Sequence, residues 1–380
     1  CTGGTLTDNT LTITNIRKNI TCEVTLQEDG PFKSGTLAAQ ILIDNPTVSE
    51  RTSFSSTNVA NTTGTIYQTN KTEDGSTVYY YSGKTTNNWV KFGGFYWRII
   101  RTNEDKSVRM LYSGTSHNTT EGYIGTTMFI SGGASGPMYV GYMYGTSGSL
   151  ANNRKNTNDS TIKTTIDTWY KNDLLSSYGK YISKTAIYCS DRSTQNNSYS
   201  TSSAFNYGTY TRLADNKAPT YKCGGNTSDG LFESTQAIQD KFSASTTGGG
   251  NGQLTYPIAM MTADEVAFAG GKYATVNSSV WYYANSANSS IVGTNSWWLI
   301  SPANANSSYS YVFYVRGNSN SYNPNIPSFT GRLDYTVVGY KTAIRPVISL
   351  KACVKYLSGN GTSSSPYEVT IDDACASAEN

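Results

Sequence analysis

Residues 297–302 read Trp-Trp-Leu-Ile-Ser-Pro, and residues 344–350 read Ile-Arg-Pro-Val-Ile-Ser-Leu. Both are short apolar blocks of the kind a fold buries as strands. The stretch between them is crowded with Asn, Ser, Tyr and Gly. Tyr gives a large contact area at low entropy cost, while Ser, Gly and Asn adapt their hydrogen bonds, which is the chemistry of binding loops. A fixed scaffold carrying a polar, aromatic surface points to recognition rather than catalysis. Trp297 and Trp298 are expected to serve the core, because paired aromatics inside an apolar strand pack. Arg345, in an apolar strand, is expected to hold a structural ion pair or backbone carbonyls.

Outward from these blocks the chain reads as α+β with β dominant. Residues 1–30 alternate apolar and polar residues and look like the tail of a small, Ig-like β domain. Residues 31–77 offer one short helix, with Ser34 as its cap and Asn45-Pro46 as its end, followed by a strand-poor connector. The main domain is placed at 78–351. It holds a strong strand at 92–100, a helix from Ser160 with Ile162, Ile166 and Trp169 at helical spacing, and a second helix opened by the capping box Thr262-Ala263-Asp264-Glu265. Gly270-Gly271 stops that helix. On it Val266 and Phe268 face opposite ways, so only one needs full burial. Residues 352–380 read as a hairpin around Gly359-Asn360-Gly361.

Composition narrows the function. The chain has 380 residues, a net charge of +3 and only 14% charged residues, against about 25% in ordinary globular proteins. Capture of nucleic acid needs clustered Lys and Arg, so nucleic acid is not expected as a partner. The single histidine, His117, leaves a Ser-His-Asp triad or a histidine zinc site little to build on. No run of about 18 apolar residues is present, so no membrane span is expected. An exported chain would then begin after processing or be a fragment.

The six cysteines, Cys1, Cys22, Cys189, Cys223, Cys353 and Cys375, fall into three neighbouring couples, none of them CxxC. Three local disulfides in an oxidising compartment are the simplest account. Other pairings remain open, as does a rival reading in which Cys1 is the lipidated first residue of a lipoprotein.

Five blocks occur in order: Ala186-Ile187-Tyr188-Cys189-Ser190-Asp191-Arg192-Ser193, Leu254-Thr255-Tyr256-Pro257-Ile258, Met261 to Gly271, Trp297 to Pro302, and Arg345-Pro346-Val347-Ile348. Over residues 78–351 this set resembles gut Firmicute surface proteins with a C-type-lectin-like domain, in the branch similar to formylglycine-generating enzyme. The same branch includes the variable proteins of diversity-generating retroelements, which carry Asn, Ser, Tyr and Thr at exposed loop positions. The resemblance implies two helices flanking a small sheet, with ligands on the face of the late loops. It does not imply an enzyme here, since no cysteine lies between Cys223 and Cys353. The calcium-lectin strings Glu-Pro-Asn, Gln-Pro-Asp and Trp-Asn-Asp are absent as well. No cofactor or metal site is expected, with room left for a structural calcium.

The expected ligand-binding residues are Tyr309, Tyr311, Asn318, Asn320, Tyr322, Asn323 and Asn325. So many Asn side chains in one short stretch could hardly all find partners inside a core. The reading is therefore a bacterial, extracellular, cell-surface adhesion module that binds a protein or glycan ligand. Its rival is a structural subunit that self-associates into a pilus or fibre through its terminal β-segments. Peptide mapping without reduction is expected to return Cys1–Cys22, Cys189–Cys223 and Cys353–Cys375. Free thiols at Cys189 and Cys223 would contradict the secreted assignment.

Overall fold

Gly93 and Gly94, with φ of 64° and 83°, close the hairpin between strands Trp89–Phe92 and Phe95–Thr102. A two-residue turn with positive φ at both positions matches the twist of its flanking strands, and glycine enters it without steric cost. A Cβ at Gly93 would also stand 2.7 Å from the Leu174 side chain. The computed structural model describes residues 4–7, 10–14, 16–17, 30–55, 63–117, 119, 121–133, 135–153, 155–194, 198–223, 240–245, 252–275, 282–283, 295–317 and 331–378. Cys1 and Cys22 lie outside the described residues.

Around that hairpin grows a ten-stranded sheet. Its main path runs Ala259–Met260, Pro346–Leu350, Val108–Tyr112, Phe95–Thr102, Val78–Tyr80, Thr65–Thr69 and Thr47–Glu50. The Lys355–Ser358/Tyr367–Thr370 hairpin joins it through parallel pairing of Tyr367 with Val90. A second, six-stranded sheet runs Leu333–Val337, Ser310–Val315, Trp297–Ala305, Lys341–Ala343 and Thr126–Met128, with Phe205–Asn206 pairing at Trp297–Ala305. With seven α-helical segments among the described residues, the fold is α+β and β-dominated.

The helices form where local chemistry caps them. Ser160 accepts from the Lys163 amide at 3.2 Å and opens Thr161–Asp173. Ile162, Ile166 and Tyr170 recur on its buried face, the helical period. Thr262 and Glu265 form the reciprocal box at the start of Ala263–Phe268. The first helix differs from expectation. It spans Leu37–Asp44, and Thr36 rather than Ser34 caps it, accepting from the Ala39 amide. Thr36 is fixed there by a β-bridge to Lys355, which no local pattern announces.

One further expectation is corrected. The region after Pro46 is not strand-poor: Thr47–Glu50 and Thr65–Thr69 pair in parallel and extend the large sheet. Their partly exposed, polar residues hide the strand period. Val266 and Phe268 are both buried. Phe268 faces a satellite cluster of Phe54, Val78, Tyr80 and Tyr221 rather than solvent, and Tyr221 stacks on it with ring centroids 4.1 Å apart.

The two sheets and the short helix share one core. Ile300 donates to the Met261 carbonyl at 3.0 Å, and the Ala263 amide donates to Ser301 Oγ at 2.9 Å. The chain from Leu254 to Gly271 is thereby held against the Trp297–Ala305 strand. Trp298 is fully buried, its indole N–H donating to the Thr127 carbonyl at 3.0 Å and its ring beside Phe129 and Tyr314. Disulfides Cys189–Cys223 and Cys353–Cys375 span Cα distances of 5.3 and 5.4 Å. No helix among the described residues is long and apolar enough to cross a membrane.

Most of the buried charge is paired. Glu265 meets Arg109 at 2.6 Å and Arg101 at 3.3 Å, all three inaccessible. Arg212 is held by Asp191 at 2.5 Å and by Asp264 at 3.0 Å. Arg192 pairs with Asp240 and donates to Asn156. Burial pulls the Arg101 guanidinium down, but Glu104 and Glu265 outweigh it and the net shift is upward. Replacing Trp298 with Ala should cost about 3–5 kcal/mol in urea unfolding, the range for emptying a buried aromatic site. A loss below about 1 kcal/mol would mean the site is not closed.

Candidate ligand-binding face

Tyr309 and Tyr311 owe their positions to one asparagine. Asn306 Oδ1 accepts from the amides of Ser308 and Tyr309, each at 2.8 Å, and the Asn306 amide donates to the Tyr309 carbonyl at 2.9 Å. This side-chain turn folds the chain from Trp297–Ala305 back into Ser310–Val315. The Ser310 hydroxyl donates to the Gly136 carbonyl and pins the corner. Tyr309 is 48% exposed and Tyr311 half-buried.

From there the strand period builds a face. Alternate residues of a strand share one side, so Tyr311 and Phe313 lie together. Opposite them, Leu333–Val337 pairs Tyr335 with Phe313 and Val337 with Tyr311. Ring centroids of Tyr311 and Tyr335 are 5.5 Å apart, and those of Tyr309 and Tyr311 are 6.3 Å apart. Two more tyrosines arrive from distant chain. Tyr273 is bridged to Leu333, and its ring lies parallel to Tyr335 within 6° at 6.1 Å. Tyr210, at the end of the short helix Gly208–Tyr210, meets Tyr273 at 5.4 Å and Tyr335 at 5.9 Å.

The result is a contiguous row of Tyr309, Tyr311, Tyr335, Tyr273 and Tyr210, all partly open to solvent. Its contacts are edge-to-face or stacked, the arrangements aromatic rings prefer, each worth about 0.5–1.5 kcal/mol. The Tyr273 phenol is pushed above its ordinary range, first by burial and then by hydrogen bonding with Tyr210 and the neighbouring Tyr335. It stays protonated at neutral pH and keeps a donor on this face.

Asn318, Asn320, Tyr322, Asn323 and Asn325 lie outside the described residues. The described chain reaches that segment from Gly317 and resumes at Gly331, whose amide donates to the Arg316 carbonyl at 2.8 Å. Gly317 and Gly331 therefore sit close together at one end of the two strands bearing Tyr311 and Tyr335.

Trp297 and Arg345 are buried. Arg345 donates to the Tyr112 carbonyl at 3.0 Å, to the Tyr283 carbonyl at 3.3 Å and to Ser113 Oγ at 3.1 Å, and its guanidinium lies 4.8 Å from the Trp297 ring. Burial and the nearby Arg98 guanidinium push its pKa downward.

A small cavity lies elsewhere, lined among others by Arg101, Arg109, Arg212, Asp191, Asp264 and Glu265. Each of these six side chains is already ion-paired within the set. It is the inside of the salt-bridge network, and its charges are spent on the fold. Among the described residues no three His, Cys, Asp or Glu side chains are grouped to hold a metal.

Tyr210, Tyr273 and Tyr335 were not singled out from the sequence. The alternation in Leu-Asp-Tyr-Thr-Val at 333–337 was a usable signal for Tyr335. The stretch 198–210 shares the Ser, Asn and Tyr richness of the late loop, but nothing local tells that Tyr210 and Tyr273 converge on it. No family model, curated protein or solved structure matches the chain.

Proposed function

We propose that this is an extracellular recognition protein that binds a glycan or protein ligand through its tyrosine row, with Asn318, Asn320, Tyr322, Asn323 and Asn325 expected from the sequence to take part. In this reading the domain is C-type-lectin-like and sits at a bacterial cell surface. One observation carries the proposal: five partly exposed tyrosines, drawn from four separate stretches of chain, converge on one face. A fold gains little by leaving so much aromatic area at its surface, whereas a binding face uses it, since Tyr and Trp dominate interface energetics. Two disulfides support an oxidising, extracellular setting. The arginine-paired state of Asp191, Asp240, Asp264 and Glu265 supports binding over catalysis, because it occupies the carboxylates a general acid or base would need.

The second reading, a pilus or fibre subunit, has its own support. Thr47–Glu50 is an outer strand of the large sheet and Val48 on it is exposed. The Gly4–Thr7/Thr10–Ile13 hairpin pairs only with itself among the described residues. An open edge and a spare hairpin are the parts that strand addition between copies requires.

A panel of immobilised glycans and glycoproteins separates the two. Wild-type protein should be retained on at least one surface, and Tyr311→Ala with Tyr335→Ala should weaken retention by about tenfold or more while circular dichroism at the assay temperature shows the chain still folded. Retention that ignores both substitutions would contradict the proposal. Filaments under negative stain that survive these substitutions, and vanish when residues 1–30 are removed, would favour the fibre.

A further inference from the structure

We infer that the ligand of this face is an acidic saccharide, with one carboxylate seated in a cationic pocket at the end of the tyrosine row; the inference rests on the recognition reading above. The pocket is a small, open recess lined by Phe54, Leu213, Lys217, Lys272, Tyr273 and Leu333, among others. Tyr273 belongs to both structures: it lines the pocket and stacks on Tyr335 in the row. A ligand lying along the row therefore reaches the pocket without leaving aromatic surface.

The pocket's charge is one-sided. Among the described residues that line it there are two lysines and no Asp or Glu. Phe54, on its wall, carries two more cations over its ring, Arg51 at 4.4 Å and Lys71 at 5.6 Å. Arg51 is engaged with the carbonyls of Ala267 and Phe268, each at 2.9 Å. Lys272 donates to the Ser55 carbonyl at 2.6 Å, and Lys217 donates to the Ala214 carbonyl. An ammonium has three donors, so each lysine keeps donors for a ligand. Asp215, exposed, is the nearest acid in sequence to Lys217. No described ion pair involves Arg51, Lys71, Lys217 or Lys272. That contrasts with the interior, where Arg101, Arg109, Arg192 and Arg212 are all matched by carboxylates.

Chemistry selects the occupant. Two lysine ammonium groups, with no Asp or Glu among the described lining residues, favour an anion there. Phenol rings beside it present flat apolar faces and hydroxyl donors together, which suits the C–H faces and hydroxyls of pyranose rings. An acidic peptide would satisfy the lysines but would leave most of the row without matching faces.

Isothermal titration calorimetry of the full chain tests this, with oligogalacturonate as probe and its methyl ester as the uncharged counterpart. The acid should bind about tenfold or more tighter than the ester, and added salt should erase the difference. Lys217→Asn with Lys272→Gln should lower affinity for the acid to that of the ester. Asn suits the left-handed backbone of Lys217, where φ is 53°. Lys272→Gln alone, with its melting temperature, guards against misfolding and should give a partial loss. Equal affinity for acid and ester, no binding of either, or indifference to both lysine substitutions would overturn the inference. The tyrosine face would then stand or fall separately on its own retention assay. Competition by polyglutamate as strong as by the saccharide would overturn the saccharide assignment. Loss on lysine substitution with no loss in Tyr335→Ala would leave the pocket and remove the row, and with it the inference as stated.

Discussion

The carboxylate of Glu265 ties the halves of this molecule together. It accepts from the Thr262 amide at 2.9 Å and so starts its own short helix. The same group receives Arg101 from one central strand and Arg109 from the next. At the helix's other end Arg51 caps the carbonyls of Ala267 and Phe268, placing an anion at the first turn and a cation at the last, as the helix dipole favours. A helix of six residues has little stability of its own. It is held by these charges and by burial on all sides. The chain on either side is then placed: Ala259–Met260 pairs with Pro346–Leu350 upstream, and downstream Tyr273 is delivered to the edge of the second sheet. The recognition face inherits its geometry from this latch.

Such a latch serves specificity more than net stability. Desolvating three charges costs about as much as their attraction returns, yet removing one partner strands the others without water. The paired interior and the unpaired lysines near Phe54 illustrate the two uses of charge in a chain that has few. Inside, each carboxylate of the network fixes one arrangement of helix and sheet. Outside, Arg51, Lys71, Lys217 and Lys272 take part in none of the described ion pairs.

Much of this architecture was legible in the residues, and the rest was not for physical reasons. The cap at Ser160 and the box at Thr262 are local hydrogen-bond patterns, so the sequence carries them in full. The Trp297–Ile300 block reads as buried because nothing else accommodates two indoles and two branched aliphatics. Thr47–Glu50 escaped because an edge strand needs no apolar alternation. The Thr36 cap escaped because a distant bridge to Lys355 chose between two competent side chains. In the face itself Tyr309 and Tyr311 stood out by composition, and Tyr335 was within reach of strand alternation. Tyr210 and Tyr273 converge only through tertiary contacts, as do the lysines beside them, and no window of sequence encodes that.

The latch is tested most directly by urea unfolding of Glu265→Gln. Glutamine keeps the shape, and its one oxygen can still complete the capping box, so its NH2 group replaces the oxygen that accepts from Arg101 and Arg109 and the substitution removes both the charge and the acceptor of the latch. The predicted loss is about 3–5 kcal/mol, as for stranding a buried charge. A loss below about 1 kcal/mol would contradict the account, because the helix would then be held by packing alone and the ion network would not be what sets the face.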